Sequence, residues 1–99
     1  MDHQLHTHRY TGVTTLDSGH SHEYYGETSA EPDQVGHVHY MQGATTFNSG
    51  HTHNYQETTS EAIYISGGHY HYYNGDTSEA FIPEPHVHSM MGYTSFFMD

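Results

Sequence analysis

The chain has 99 residues, enough for a single domain with a thin core, and its formal charge is −11 with histidine neutral. Lys and Arg together number 1, so the chain lacks the cationic surface that nucleic-acid phosphates require, and we expect no nucleic-acid partner. There is no cysteine, which excludes disulfides and thiolate metal sites, and no apolar run approaches the ~20 residues of a membrane helix, so we expect no membrane insertion.

The first residues, MDHQLHTHRY, carry no basic region followed by an apolar run, which is the pattern of a signal peptide. The sequence therefore predicts a cytoplasmic location by default. An extracellular or cell-surface filament, reached by non-classical release, is the alternative.

A strict internal repeat follows. Leu, Ile, Val and Phe together number 13 of 99, a composition typical of disordered chains, and the repeat is the reason to expect a fold. The units begin at residues 6, 20, 37, 51, 69 and 86 and read HTHRYTGVT, HSHEYYGET, HVHYMQGAT, HTHNYQETT, HYHYYNGDT and HVHSMMGYT. Their common pattern is H-x-H-x-[YM]-x-G-x-T, with Met41 and Met90 at the fifth position of two units and Glu57 in place of one glycine. We interpret residues 1–99 as a single repeat domain.

Within each unit the shared residues fall at alternate positions, which is the period of a β-strand. One face of each strand therefore carries the histidines. We predict an all-β fold with six short strands, one of about nine residues per unit, in which the glycine marks a kink or bulge.

Short and long connections alternate between the units. The short ones, TTLDSG and TTFNSG, have the Asx-Ser-Gly chemistry of tight hairpin turns. The long ones are SAEPDQVG, SEAIYISGG and SEAFIPEP. This alternation predicts an antiparallel meander forming a small sandwich or barrel. The alternative is a β-solenoid with a coil of 31–32 residues, in which odd and even units stack separately.

The last segment, residues 89–99, is rich in aromatic residues and methionine. Because the chain has little apolar material of its own and a repeated sheet leaves edges that copies can extend, we expect this tail to lie in an interface and the protein to self-assemble.

The histidine pairs are the candidate functional residues. Imidazole is the commonest metal ligand in proteins, and residues i and i+2 of a strand place both rings on one side, where neighbouring strands can add further nitrogens. The predicted ligands are His6, His8, His20, His22, His37, His39, His51, His53, His69, His71, His86 and His88. Sites of three or four imidazoles would give several ions per chain, with copper or zinc favoured by the donor type. Stacked histidine and tyrosine ladders without any ion are the alternative.

Catalysis is not expected. The motif is spread evenly along the chain, and no Ser/His/Asp or paired-carboxylate arrangement stands apart. The glutamates occupy no common position in the repeat, and no glycine-rich loop precedes a helix.

The GHxHxY units, the Ser-Glu-Ala-Ile segment at residues 60–63 and the HVH pairs at 37–39 and 86–88 resemble the bacterial YmaF family of small histidine-repeat proteins. The resemblance covers nearly the whole chain. It implies a bacterial origin and repeated HxH strands, and it supplies no activity.

Taken together, the sequence predicts a non-enzymatic, multi-site metal-binding β protein that self-assembles, with an extracellular filament as one form. The alternatives are a soluble monomeric metal buffer or chaperone in the cytoplasm, and a metal-free structural protein.

Overall fold

The computed structural model describes residues 4–81 and 84–98; His3, which the sequence leaves outside the repeat, and Asp99, the last residue of the tail, lie outside them. The described residues form an all-β structure, as the sequence predicts, and contain no helix. The strands are β1 (Leu5–His6), β2 (Arg9–Val13), β3 (Glu23–Glu27), β4 (Glu31–Pro32), β5 (Tyr40–Ala44), β6 (Asn54–Thr58), β7 (Ile63–Ile65), β8 (Gly68–Tyr70), β9 (Tyr72–Asp76), β10 (Ser89–Tyr93) and β11 (Phe97–Met98).

The six repeat strands pair in three antiparallel couples, β2 with β3, β5 with β6 and β9 with β10. Each strand has 5 residues and not the predicted nine, because it covers only the part of the unit after the histidines. The histidine pairs continue from these strands toward the ends of the molecule.

The two short connections are hairpin turns, as predicted. One turn is closed by an isolated antiparallel bridge between Asp17 and His20, and the other by a bridge between Asn48 and His51. The two central residues of each turn have positive φ; in the first turn, φ is 53° at Ser18 and 80° at Gly19. Positive φ at both central positions is the type I′ turn, whose twist matches that of the paired strands.

Backbone hydrogen bonds join each couple to the other two. The Thr46 N–H donates to the Glu23 carbonyl at 2.9 Å, that of Ser78 to Asn54 at 2.8 Å, and that of Ser95 to Arg9 at 2.8 Å. The three couples thus surround one long axis, and the molecule measures 52 × 21 × 17 Å. The strands of the described residues form small separate antiparallel sheets; of the predicted sandwich or barrel, no barrel is closed, and the alternative solenoid is not formed either.

The core lies on this axis and consists of the fifth residue of every unit. These residues are Tyr10, Tyr24, Met41, Tyr55, Tyr73 and Met90. Across each couple a tyrosine ring lies over the glycine of the partner strand: Tyr10 pairs with Gly26, and Tyr24 with Gly12. Any Cβ at these glycines would collide with the tyrosine. The predicted kink or bulge is therefore wrong, because the register is regular and the glycine is there to make room for a ring.

The exceptions to the repeat compensate one another. Met41 is in register with Glu57, and Met90 with Gly75, so neither of these positions has a tyrosine across from it. The Glu57 carboxylate instead occupies the space beside Gly75, where a Cβ would collide with it. Burial raises the pKa of Glu57, and Asp76 adds to the rise.

Additional short strands surround one end of the molecule. β4 pairs with β1, and β8 lies between β7 and β11 in a three-stranded sheet. The tail thus contributes β10 to the core and β11 to this sheet, where Phe97 is in register with His69. Whether the tail also contacts another molecule stays a prediction.

The tyrosine–glycine packing gives a first testable prediction. A Gly43→Ala change places a Cβ 2.7 Å from the Tyr55 Oη and 3.0 Å from its Cζ, and we expect it to lower the free energy of unfolding by about 1–3 kcal/mol through overpacking. Adding Tyr55→Met reproduces the Met41 arrangement and should recover part of that loss. Chemical denaturation of the two single variants and the double variant measures the coupling; additive effects would contradict the proposed packing.

Candidate metal centres

Antiparallel pairing sends the histidines of odd and even units to opposite ends of the core. The odd-repeat cluster comprises His6, His8, His37, His39, His69 and His71. The even-repeat cluster comprises His20, His22, His51, His53, His86 and His88. The tyrosine and methionine core lies between them, with roughly eight strand residues, or about 26 Å, separating the two cluster centres.

The six rings of each cluster have octahedral order. In the odd-repeat cluster every ring is edge-to-face with four of the other five, and the fifth lies opposite: His6 faces His71 across the centre, His8 faces His37, and His39 faces His69. The even-repeat cluster has the same connectivity. Each HxH pair thus supplies two adjacent vertices, and three pairs complete the figure.

The Nε2 atoms point to the centre of each cluster. Adjacent Nε2 atoms lie 3.1–3.2 Å apart in the odd-repeat cluster. In the even-repeat cluster the separations are 3.1–3.3 Å. All six nitrogens of the first cluster, and five of the second, lie within 4.8 Å of one another, which is close enough to hold a metal ion. The sixth, that of His22, lies 3.1 Å from the Nε2 of His51.

The other ring nitrogen, Nδ1, faces outward in each histidine. In the second histidine of every pair it donates to the backbone carbonyl of a neighbouring couple, at 2.8 Å from His8 to Ser95 and 2.9 Å from His22 to Thr46. The remaining four bonds of this kind are 2.8–2.9 Å long. Five first histidines donate to carbonyls of nearby residues, and His69 instead faces the Asp33 carboxylate at 3.9 Å.

These outward bonds fix the tautomer of the rings. A carbonyl oxygen can only accept, so the proton of a neutral imidazole is on Nδ1 and its Nε2 carries a lone pair. The short Nε2–Nε2 contacts therefore bring lone pairs together and are not hydrogen bonds. Such an arrangement is repulsive unless a cation lies at the centre, and outer-shell bonds from Nδ1 are the usual way in which proteins orient metal-binding histidines.

Two further positions of the repeat hold the histidines in place. The threonine that closes each unit accepts a hydrogen bond from the backbone N–H of a second histidine, as Thr28 does from His8 at 3.0 Å. The residue after it is always Ser or Thr. The hydroxyl of this residue accepts a hydrogen bond from the backbone N–H of the residue that follows a second histidine, as Ser95 does from Arg9. Its backbone carbonyl accepts the Nδ1 hydrogen bond of that histidine, as Ser95 does from His8. Sequence reasoning missed this tenth position, although its hydroxyl in all six units was a visible signal.

Burial keeps the second histidines neutral. It lowers the pKa of His8 to about 4 and that of His71 to about 3, and the neighbouring histidines add to the effect while the backbone hydrogen bonds oppose it. The pKa values of His22, His39, His53 and His88 are lowered for the same first reason.

The two clusters differ in their cover. All six histidines of the odd-repeat cluster are buried, and the Phe97 ring packs 4.5 Å from His6 and 5.7 Å from His69. In the even-repeat cluster His20 and His86 are half-buried beside the turns of the opposite end. The second cluster is therefore the more accessible to solvent.

The structure thus brings all twelve predicted ligand residues together, in two groups of six. The sequence analysis assumed three or four imidazoles per ion, because pairing of neighbouring strands was all that it could count. That each group binds an ion stays a prediction.

In comparisons with known proteins, no family model, curated protein or solved structure matches the chain. The resemblance to the YmaF family therefore stays a prediction. Among the described residues no helix is long and apolar enough to cross a membrane.

The lowered pKa values predict acid sensitivity. Unfolded histidines take up protons near their ordinary pKa of about 6.5, whereas the buried ones resist protonation until the pH approaches their lower folded values. The stability that these neutral histidines contribute is therefore fully present above about pH 6.5 and is lost as the pH falls from about 6.5 toward 4. Circular dichroism along an acid titration should show loss of β structure as the pH falls from about 6.5 toward 4. An unchanged spectrum at pH 4 would contradict the prediction.

Proposed function

We propose that the protein is a non-enzymatic structural module whose fold is completed by two divalent transition-metal ions, one in each histidine cluster. The observation that carries the proposal is the convergence of Nε2 lone pairs, at 3.1–3.3 Å from one another, in rings whose proton is held on Nδ1 by backbone carbonyls. A cation at each centre converts this repulsion into six bonds.

A structural role for the ions is favoured over catalysis or storage. Catalytic metal sites keep a coordination position open for water or substrate, whereas six imidazoles fill an octahedral shell. A buffer or chaperone must release its ion readily, and the odd-repeat cluster is buried beneath Phe97. These features support a permanent ion that ties the three couples together.

The ions also account for stability in a chain with so little apolar material. Among residues 4–81 and 84–98 only six apolar residues are buried, and the buried polar residues are the histidines and threonines of the repeat. A structural metal typically contributes on the order of 10 kcal/mol to folding, which offsets a small core. The two ions would lie at the ends of the tyrosine core, and each would tie together three of the six repeat strands, one from each couple.

Self-assembly is compatible with this proposal but is not needed to complete it, because one chain supplies all six ligands of each cluster. The small number of apolar residues led us to expect assembly. In the proposed module, the free energy of metal binding makes up for this small core within a single chain. Light scattering of the metal-loaded protein separates a particle of 11.3 kDa from an assembly.

Stoichiometry tests the proposal directly. Elemental analysis of the natively purified protein should give two ions per chain, and removal of the ions by a strong chelator at pH 7.5 should abolish the β signal in circular dichroism. His39→Ala should lower the ion content of the odd-repeat cluster and leave the even-repeat ion bound, while His3→Ala should retain both. A folded chain without ions would contradict the structural role.

The unequal cover predicts that the two ions leave at different rates. A chelator should remove one ion per chain first, from the even-repeat cluster, because His20 and His86 are half-buried and the odd-repeat cluster is enclosed. Phe97→Ala should speed the loss of the second ion, because Phe97 packs on His6. The exposed Phe47, changed to Ala, is the matched control. Release of both ions in one phase from the unaltered protein would contradict this difference.

A further inference from the structure

The dimensions of the two clusters specify the class of ion. In a regular octahedron the distance from centre to vertex is the edge divided by √2, so Nε2 separations of 3.1–3.3 Å place the centre about 2.2–2.3 Å from each nitrogen. Tetrahedral zinc sites have Zn–N distances of about 2.0–2.1 Å and four ligands. The clusters therefore have two ligands more, and a wider centre, than a tetrahedral ion requires.

We infer that both clusters select divalent ions that prefer six equal nitrogen ligands, Ni(II), Co(II) and Fe(II), over Zn(II), and that Cu(II) cannot use all six; this inference rests on the proposed function. Ions with partly filled d shells of this kind gain ligand-field stabilisation in octahedral surroundings, and the d¹⁰ Zn(II) gains none. Cu(II) favours tetragonal geometry, with four short bonds in a plane.

The chain resists the rearrangement that a four-coordinate ion would need. Two rings would have to leave the centre. Each second histidine, however, is held by two hydrogen bonds: its Nδ1 donates to a backbone carbonyl, and its backbone N–H donates to a threonine hydroxyl. In His39 the acceptors are the Ser29 carbonyl and the Thr59 hydroxyl. In the odd-repeat cluster a ring that did not coordinate would keep its lone pair buried against five others. Burial without a partner is unfavourable for any polar atom, so the cluster penalises four-coordination.

The charge of the cluster favours a divalent ion over a trivalent one. Six neutral imidazoles leave the whole ionic charge unneutralised in a buried position, which becomes more costly as that charge rises. The described acidic groups near the rings include Asp33, 3.9 Å from His69, and Asp17, 3.5 Å from His88, and Glu31 is in register with His6 across the β1–β4 pair. Each cluster thus has at least one carboxylate at its outer edge to offset part of the charge of a divalent ion.

Two measurements on the full chain test the inference. The Co(II)-loaded protein should show the weak visible absorption of six-coordinate Co(II) and not the intense band of tetrahedral Co(II). In competition at equal concentrations of Ni(II) and Zn(II), elemental analysis should find Ni(II) retained over Zn(II) by at least about tenfold. A His20→Ala variant opens one vertex of the accessible cluster, so its Co(II) absorption should rise for one of the two ions, which identifies the signal with these centres.

The outcomes separate this inference from the proposed function. An intense tetrahedral Co(II) band, or displacement of Ni(II) by Zn(II), overturns the ion preference while leaving a metal-stabilised module. A folded chain that binds neither Co(II) nor Ni(II) overturns both. Six-coordinate Co(II) together with retention of Ni(II) supports both.

Discussion

The two histidine clusters depend on the imidazole proton being on Nδ1, where a backbone carbonyl accepts its hydrogen bond. Because backbone carbonyls hold the Nδ1 proton of rings such as His8 and His22, the Nε2 lone pairs of each cluster face one another, and the cation that we propose at each centre would remove their repulsion. The carbonyls belong to a neighbouring couple of strands, so the same bonds that orient the ligands also join the couples. In the proposed metal-loaded module, coordination and folding would therefore depend on one set of hydrogen bonds, and loss of the ion would loosen the packing of the couples as well as the site.

The core between the clusters shows how closely the repeat is constrained. Tyr10 and Tyr55 share a hydrogen bond of 2.9 Å between their hydroxyls, as do Tyr24 and Tyr73, so these buried polar groups are satisfied. Each ring needs a glycine across the couple. Where methionine replaces tyrosine, the residue across the couple need not be glycine. Glu57 stands there, in register with Met41, and its carboxylate lies beside Gly75. The exceptions to the repeat are thus coupled changes, each permitted by another.

The all-β fold, the inward face of each strand and the hairpin turns followed from the sequence, because period-two alternation and Asx-Ser-Gly turns are local signals. The arrangement around an axis did not follow. It depends on hydrogen bonds between distant residues, such as Ser95 with Arg9, which no local pattern reports. The same limit explains the number of ligands per site. Adjacent strands suggest three or four imidazoles, and only the third couple raises the number to six. The sequence analysis predicted a kink or bulge at the glycine because it could not show that a tyrosine ring of the partner strand lies over this position and leaves no room for a Cβ.

The number of repeats has a geometric reason. An octahedron needs three HxH pairs, since each pair supplies two adjacent vertices. Antiparallel pairing sends alternate pairs to opposite ends of the core, so a chain that completes one cluster with its odd units leaves its even units at the other end. Three couples are the smallest number that fills both centres, and a fourth would have no vertex to occupy. The six units therefore complete two clusters of six histidines with no histidine of the repeat left over.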